Sequence, residues 1–409
     1  MKTLEKIKLI NDPVYGFISI PSQLISQLIE HRYFQRLRRI VQMGMTNLVF
    51  PGAVHTRFHH ALGALFLMQR AVQVLRNKNI EISPQEEEAL YIAILLHDIG
   101  HGPYSHAMEY SLVKGISHEE ISLKFMNVLN REFDGKLTLG IQIFKNEYGR
   151  HFFHQLVAGQ LDVDRLDYLK RDSFYTGVSE GAINSQRLIA MLNVKDDQLV
   201  VEEKGVYSVE NFLIARRLMY WQVYLHKTGV VAEQMLVRVL KRARELVQNG
   251  HEIYGSNCLL YFLKNEITIE SFSDKTLDVF SRLDDSDILC ALKEWTTHED
   301  YVLKTLSEML LYRNLLKIKI RNEPFFEEKV VSEKSKLCSS LSLSEHEASY
   351  FIFSGKLENQ TYNKIEDPIR LLKKDGSVVD VTQVSDQLNL TTLATSEIKY
   401  YMCFPKNRG

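Results

Sequence analysis

The sequence predicts a mainly α protein, with a helical body and short β-hairpins over residues 1–312 and a smaller α+β region over residues 313–409. Three observations carry this prediction. Apolar residues recur at helical spacing through the body, capping residues and Gly/Pro breakers punctuate them, and from about residue 313 the pattern changes to alternation. No Ser/Gly-rich linker separates the two parts, and no repeat or low-complexity segment interrupts them.

In chain order, residues 6–20 read as two short strands around the Asn11-Asp12-Pro13 turn that ends at Gly16. Past Pro21, Leu24, Ile25, Leu28 and Ile29 mark a first helix, and a second run covers Phe34 to Met43. Gly44, Pro51 and Gly52 mark a loop. A helix from about Phe58 to Leu75 carries Leu62, Leu65, Phe66 and Val72 on its apolar side. Ser83-Pro84-Gln85-Glu86 supplies an N-cap, a first-turn proline and an acidic first turn, opening a helix to about Asp98. Gly100, Gly102 and Pro103 break it. Further helices are expected at 117–131, 137–147, 151–170 and 185–193, then a hairpin over 198–208 turning at Lys204-Gly205. A long helical stretch over 209–249 is broken near Gly229, and 275–296 and 298–312 are helical in period. In the tail, Leu315–Ile320 alternates, Ile369–Leu372 and Ser377–Val381 flank an Asp375-Gly376 turn, and Tyr400–Phe404 is strand-like.

Composition excludes several classes. The 409 residues are 45% hydrophobic and 25% charged, so the chain is no disordered polymer and can build a core without staples. Fifty Lys and Arg against 51 Asp and Glu give a net charge of −1, which excludes a globally basic nucleic-acid binder and leaves room only for a local patch. Cys258, Cys290, Cys338 and Cys403 lie far apart without a Cys-x-x-Cys pair. That spacing speaks against a disulfide framework or a thiolate zinc site and fits a reducing compartment. No apolar run reaches the roughly 18 residues of a membrane span, and the first residues form no apolar signal region. The expectation is a cytoplasmic protein without a membrane partner.

The histidines carry the chemistry. His55, His59, His60, His97, His101, His106 and His118 crowd the first third of the chain. An apolar helix ends in adjacent His97 and Asp98, and burying an unpaired aspartate there is costly unless a cation binds both. Imidazole plus carboxylate suits zinc, iron or manganese. A polar helix end followed by a Gly-Pro turn is the ordinary reading of an isolated His-Asp pair, but His101 and His106 with the glycine spacing tip the balance. Two other segments can complete a site. His55-Thr56-Arg57-Phe58-His59-His60 opens a helix, and Asp162-Val163-Asp164-Arg165-Leu166-Asp167-Tyr168 places Asp164, Asp167 and Tyr168 on one helical face. Alone, the first reads as caps and the second as a solvated charged face.

In this order, His, His-Asp and a distant Asp resemble the HD superfamily of metal-dependent phosphohydrolases. A closer resemblance, over roughly residues 1–320, is to its deoxynucleoside triphosphate triphosphohydrolases, bacterial and mammalian. Seven ordered blocks carry it: Asn11-Asp12-Pro13, Phe34-Gln35-Arg36-Leu37-Arg38, Val49-Phe50-Pro51-Gly52-Ala53, Thr56 to His60, His97 to His106, Asp162 to Tyr168, and Tyr224 to Gly229. The last ninety or so residues are only weakly similar.

The resemblance implies that His60, His97, Asp98 and Asp164 hold one divalent transition metal per active site (iron, manganese, zinc or nickel), with Mg accompanying the nucleotide as a further option. It implies attack of water on the α-phosphorus of a dNTP substrate, releasing nucleoside and intact triphosphate. His118 aligns with the catalytic histidine and Glu109 with the acid that pairs with it, while His101 and His106 line the same pocket. Arg57, Arg165, Arg216 and Lys227 fall at phosphate-contacting or supporting positions, and Gln42, Tyr168, Asp172 and Tyr224 at positions that read the ribose. Gln35 and Arg38 retain part of a regulatory nucleotide site, where Glu30 replaces the usual aspartate, so an activating nucleotide is a further expected ligand. His59 stands where some members carry glutamate. A homo-oligomer, dimer or tetramer, is implied, and the chain opens on the catalytic region with no sterile-alpha-motif module ahead. Two other functions fit the same motifs: hydrolysis of another nucleotide (a cyclic nucleotide or an alarmone), or a silent nucleotide- or single-strand-binding regulator.

Overall fold

The computed structural model describes residues 8–104, 111, 113, 115–364, 367–384 and 396–406. It is mainly α, with three small sheets. Strands Leu9–Asp12 and Gly16–Ser19 form the first hairpin, whose turn is closed by Asp12 Oδ1 accepting the Val14 and Tyr15 N–H groups at 2.9 Å each. Helix Gln23–Glu30 follows its Ser22 cap. The run expected to stay helical to Met43 stops at Arg39, and Ile40 is extended. Tertiary bonds explain the early stop. The buried Arg36 guanidinium donates to the carbonyls of Leu283, Ile99 and His101, and Val41 N–H goes to Asp285 Oδ2 at 2.8 Å rather than to a helical carbonyl.

The central helix Arg57–Asn77 packs against Pro84–Leu96 on one side and Val163–Thr176 on another, and is buried over much of its circumference. Pro84–Leu96 starts as expected, with the Ser83 and Glu86 side chains capping each other's backbone. Ser117 and Glu120 repeat that device at the start of His118–Glu132.

Four expectations are corrected. The 151–170 stretch is two helices, His151–Ala158 and Val163–Thr176, because Asp162 caps the second by accepting Arg165 N–H at 2.6 Å. Between them Gly159 N–H goes to the Gln155 carbonyl and Gln160 is held by Asp367, whose Oδ2 takes its N–H at 2.8 Å. The hairpin pairs Leu192–Lys195 with Gln198–Glu202 and turns at Asp196-Asp197, both with positive φ (51° and 56°), whereas Lys204-Gly205 lies in a 3-10 turn that leads into helix Val206–Met219. The break in 209–249 is a π turn over Tyr220–Tyr224 followed by His226, which caps Lys227–Gln248, so Gly229 lies inside the second helix. Finally, 275–296 divides into Asp274–Phe280 and Asp285–Trp295, the latter capped by Asp284. Helices Asn257–Lys264 and Glu327–Leu341 carried no expectation.

The tail builds two sheets. Glu397–Phe404 lies between Lys317–Arg321 and Phe353–Asn359, antiparallel to both. Arg370–Leu372 pairs with Val378–Asp380 around the Asp375-Gly376 turn and also runs parallel to Gln198–Glu202, with Val201 opposite Leu371. Strands from residues 192–202 and 370–380 thus share one sheet, and Leu192, Val201 and Leu371 join the same hydrophobic core.

Candidate active site

Three helix ends meet at one point. Thr56 and the His59 ring cap the start of Arg57–Asn77 and set His60 on its first inward-facing turn. His97 and Asp98 stand where Pro84–Leu96 ends, and Asp164 is in the first turn of Val163–Thr176. Asp164 Oδ1 lies 3.0 Å from His60 Nε2 and 3.4 Å from His97 Nε2. The two Nε2 atoms are 3.4 Å apart, and Asp98 reaches them at 3.4 Å from His97 and 3.8 Å from His60. Folding therefore brings together the four donors singled out in the sequence.

The donor set fits a metal ion on hydrogen-bonding grounds. His60 Nδ1 is 2.7 Å from Asp167 Oδ2 and His97 Nδ1 is 2.6 Å from the Ile94 carbonyl, and both partners can only accept. Each Nδ1 therefore carries a proton. The two Nε2 atoms then face each other and two carboxylates, an arrangement that calls for positive charge, which a proton or a metal ion supplies. Separations of 3.0–3.4 Å among Asp164 and the two rings are also those of neighbouring ligands on an ion bonded at about 2.1 Å. Electrostatics show the same need for positive charge. Burial disfavours charge on His60, but hydrogen bonds to Asp164 and Asp167 outweigh it and push the imidazole up to about 10, so a metal ion binding Nε2 displaces a proton there. Burial likewise opposes charge on Asp98, yet His97, His101 and Arg57 hold its carboxyl well below the usual range.

Beside this cluster, His101 stacks on His118 with ring centroids 3.8 Å apart, and His101 Nε2 is 3.3 Å from Asp98 Oδ1. Burial and then the nearby Arg57 push the His101 imidazole down to about 3. His106 and Glu109 lie outside the described residues.

The cationic residues differ in placement. Arg57 Nη1 donates to Asp98 Oδ2 at the donor cluster itself. Arg165 Nε is 3.2 Å from Asp162 Oδ2, on the same first turn as Asp164. Arg216 is buried, and its Nε and Nη1 have no hydrogen-bond partner among the described residues, a costly state that an anionic ligand relieves. Lys227, by contrast, is exposed and lines a cavity with Arg313, Lys317 and Lys406 whose lining includes none of the four donors.

On the other side, Asp172 Oδ1 is 2.7 Å from His55 Nε2 and its Oδ2 accepts the Tyr224 hydroxyl at 2.8 Å. Tyr168 meets Tyr224 edge-on, 6.2 Å between centroids. Gln42 N–H donates to the His55 carbonyl at 2.9 Å, while its Oε1 is buried without a hydrogen-bond partner among the described residues. Gln35, Arg38 and Glu30 sit at the surface. Gln35 Nε2 donates to the Ile29 carbonyl at 2.7 Å, Arg38 Nε donates to Gln35 Oε1 at 2.8 Å and lies over the Phe58 ring, and Glu30 pairs with Lys8.

Sequence reasoning passed over the supports. Asp167, Arg171 and Asp12 form a buried chain behind His60, and Arg36 and Asp285 hold the backbone around His101 and Tyr104. The available signal was the i, i+4 spacing of Asp167 and Arg171 on the face that also carries Asp164.

The chain matches the HD domain over residues 57–172 and the HD associated region over residues 183–253. A phosphohydrolase structure from Bacteroides thetaiotaomicron superposes with a TM-score of 0.95 at 49% identity, covering 98% of this chain and 100% of that one. The uncharacterized protein YwfO of Bacillus subtilis is 32% identical over 397 residues, 93% of this chain and 88% of its own. A deoxynucleoside triphosphate triphosphohydrolase SAMHD1 homolog of Dictyostelium discoideum is 33% identical over 265 residues, 60% of this chain and 51% of its own, so the match spans about half of that relative. Among the described residues no helix is long and apolar enough to cross a membrane. The convergence of His60, His97, Asp98 and Asp164 at three helix ends thus sits inside the matched HD segment, and the chain belongs to the HD-domain phosphohydrolases, in the family that includes the dNTP triphosphohydrolases.

Proposed function

We propose that the protein hydrolyses deoxynucleoside triphosphates to deoxynucleoside and inorganic triphosphate at a metal centre formed by His60, His97, Asp98 and Asp164. The observation that carries this reading is the convergence of His60 Nε2 and His97 Nε2 on the Asp98 and Asp164 carboxylates, with Nε and Nη1 of the buried Arg216, unpartnered among the described residues, available for an anion. A bound divalent transition metal would lower the pKa of its water from ~15.7 towards ~7 and polarise the phosphoryl group.

The chain's own residues then divide the work. Arg57, Arg165 and Arg216 neutralise the phosphate tail, Arg57 by exchanging part of its bond to Asp98 for a phosphoryl oxygen. Lys227, although it lines a separate cavity, is assigned a supporting role toward that tail. His118 donates a proton to the departing 5′ oxygen, with Glu109 assigned as its acidic partner and His101 and His106 assigned to the same pocket. Tyr168 and Tyr224 close on the sugar, and Gln42 and Asp172 read its hydroxyls. The hydrogen bond from Tyr224 to Asp172 fixes the ring where an added 2′-hydroxyl would need space or a polar partner. A second nucleotide at Gln35, Arg38 and Glu30 acts as activator, and the chain works as a homo-oligomer. Equal rates with single dNTPs and with mixtures remove the activator.

The deciding experiment is a panel of dNTPs, NTPs, cyclic nucleotides and an alarmone, with Mn2+, Fe2+, Zn2+ or Ni2+, scored by 31P NMR. Inorganic triphosphate from dNTPs is the expected product. Pyrophosphate or a nucleoside monophosphate as product overturns the reading.

A further inference from the structure

Behind His60 lies a chain of charged groups that touches no position assigned to substrate. Asp167 and Arg171 are fully buried, and Arg171 Nε and Nη2 donate to the two Asp167 oxygens at 3.0 Å each. Arg171 Nη1 donates to Asp12 Oδ2 at 2.7 Å, which ties the chain to the turn of the N-terminal hairpin. The space is cut to fit. A Cβ on Gly63 would lie 2.0 Å from Asp167 Oδ1 and 2.1 Å from Arg171 Nη2, so only glycine leaves the pair in place. Burying such ions is weak as a source of stability, since well-packed apolar residues do as well or better. Their geometry has another use.

We propose that Asp167 is a positioning residue that keeps the His60 proton on Nδ1 and aims the Nε2 lone pair at the donor cluster, thereby setting the affinity of the centre for its divalent metal. This rests on the metal-centre reading above. Asp167 Oδ2 accepts from both His60 Nδ1 and Arg171 Nε, and an ionised carboxylate offers no proton in return. The ring is held in the tautomer that ligates, and its basicity is raised. Arg171 keeps the carboxylate from rotating away. An asparagine cannot substitute, because either orientation of its amide sets an NH2 against an N–H of Arg171, and one of them also drives the His60 proton to Nε2.

The test uses metal-stripped full-length protein titrated with Mn2+, free Mn2+ being read by electron paramagnetic resonance. Asp167→Asn is expected to raise the Mn2+ dissociation constant about 10–100-fold, a loss larger than the fall in melting temperature that the broken buried pair with Arg171 also brings to the stripped protein. Unchanged affinity overturns the proposal, and so does an affinity that falls only in step with a lower melting temperature. Should Asp167→Asn fail to fold, Gly63→Ala displaces the carboxylate while keeping every charge. It is expected to weaken Mn2+ by a similar factor, and unchanged affinity there overturns the proposal equally. Wild-type protein that takes up no Mn2+ brings down the metal centre itself, whereas tight wild-type binding with an unaffected variant removes only the role of Asp167.

Discussion

At the scale of single residues, the site separates groups that hold a cation from groups that move a proton. His97 and Asp164 are donors with no other use for the atoms they turn inward, whereas His118 stands one ring away, stacked on His101. Replacing Asp164 or His97 by alanine removes a ligand and is expected to abolish hydrolysis together with metal content, as is Asp98→Ala. His118→Ala is expected to keep its metal and lose most of its rate, about 100-fold or more, which is the contribution typical of a positioned acid. Elemental analysis beside turnover checks both, and metal lost in His118→Ala would move that residue among the ligands. These residues could be singled out in the sequence because His101, His106 and the glycine spacing accompany the His97-Asp98 pair and because the ordered blocks resemble the HD superfamily, whereas an isolated His-Asp pair reads as a polar helix end. Arg36 was not legible. Its partner carbonyl at Leu283 is 247 positions away, and nothing local marks an arginine destined for full burial.

At the scale of elements, the readable boundaries were those made by local chemistry. Ser83-Pro84-Gln85-Glu86 announces a helix because each partner in the capping box lies within three residues, and the structure closes that box as expected. The Asp196-Asp197 turn was misplaced because two aspartates in left-handed backbone give a weaker signal than the Lys-Gly pair eight residues on. The split at Gly159–Asp162 depends on Asp367, far along the chain, so helical period alone ran through it. Glu86 itself supports a prediction. Burial raises its carboxyl, but the Ser83 backbone, Arg150 and Tyr148 outweigh burial and hold it below the ordinary glutamate value. The unfolded chain therefore binds this proton more readily than the folded one. The stabilisation is complete above the unfolded pKa of about 4.3 and is lost as the pH falls through the lower folded value. Glu86→Gln is accordingly expected to cost about 1–2 kcal/mol at pH 7, with a cost that shrinks below about pH 4, read from urea midpoints. A cost that stays constant down to pH 3 contradicts this account.

At the scale of the whole molecule, the fold exists to bring distant stretches to one point. Helix ends carrying His60, His97 and Asp164 converge because the central helix packs against both neighbours, and Gly63 lets Asp167 and Arg171 lie flush against it. The mainly α class and the period-two tail were readable from the sequence. The sheet shared by residues 192–202 and 370–380 was not, since a parallel pairing across so long a separation leaves no local trace. The central claim is that these four side chains grip one metal ion. Crystals loaded with Mn2+ and measured at the manganese absorption edge test it most directly. The account predicts one anomalous peak per chain, about 2.0–2.2 Å from His60 Nε2, His97 Nε2 and an oxygen each of Asp98 and Asp164. A peak elsewhere, or none at this cluster in loaded protein, would contradict it.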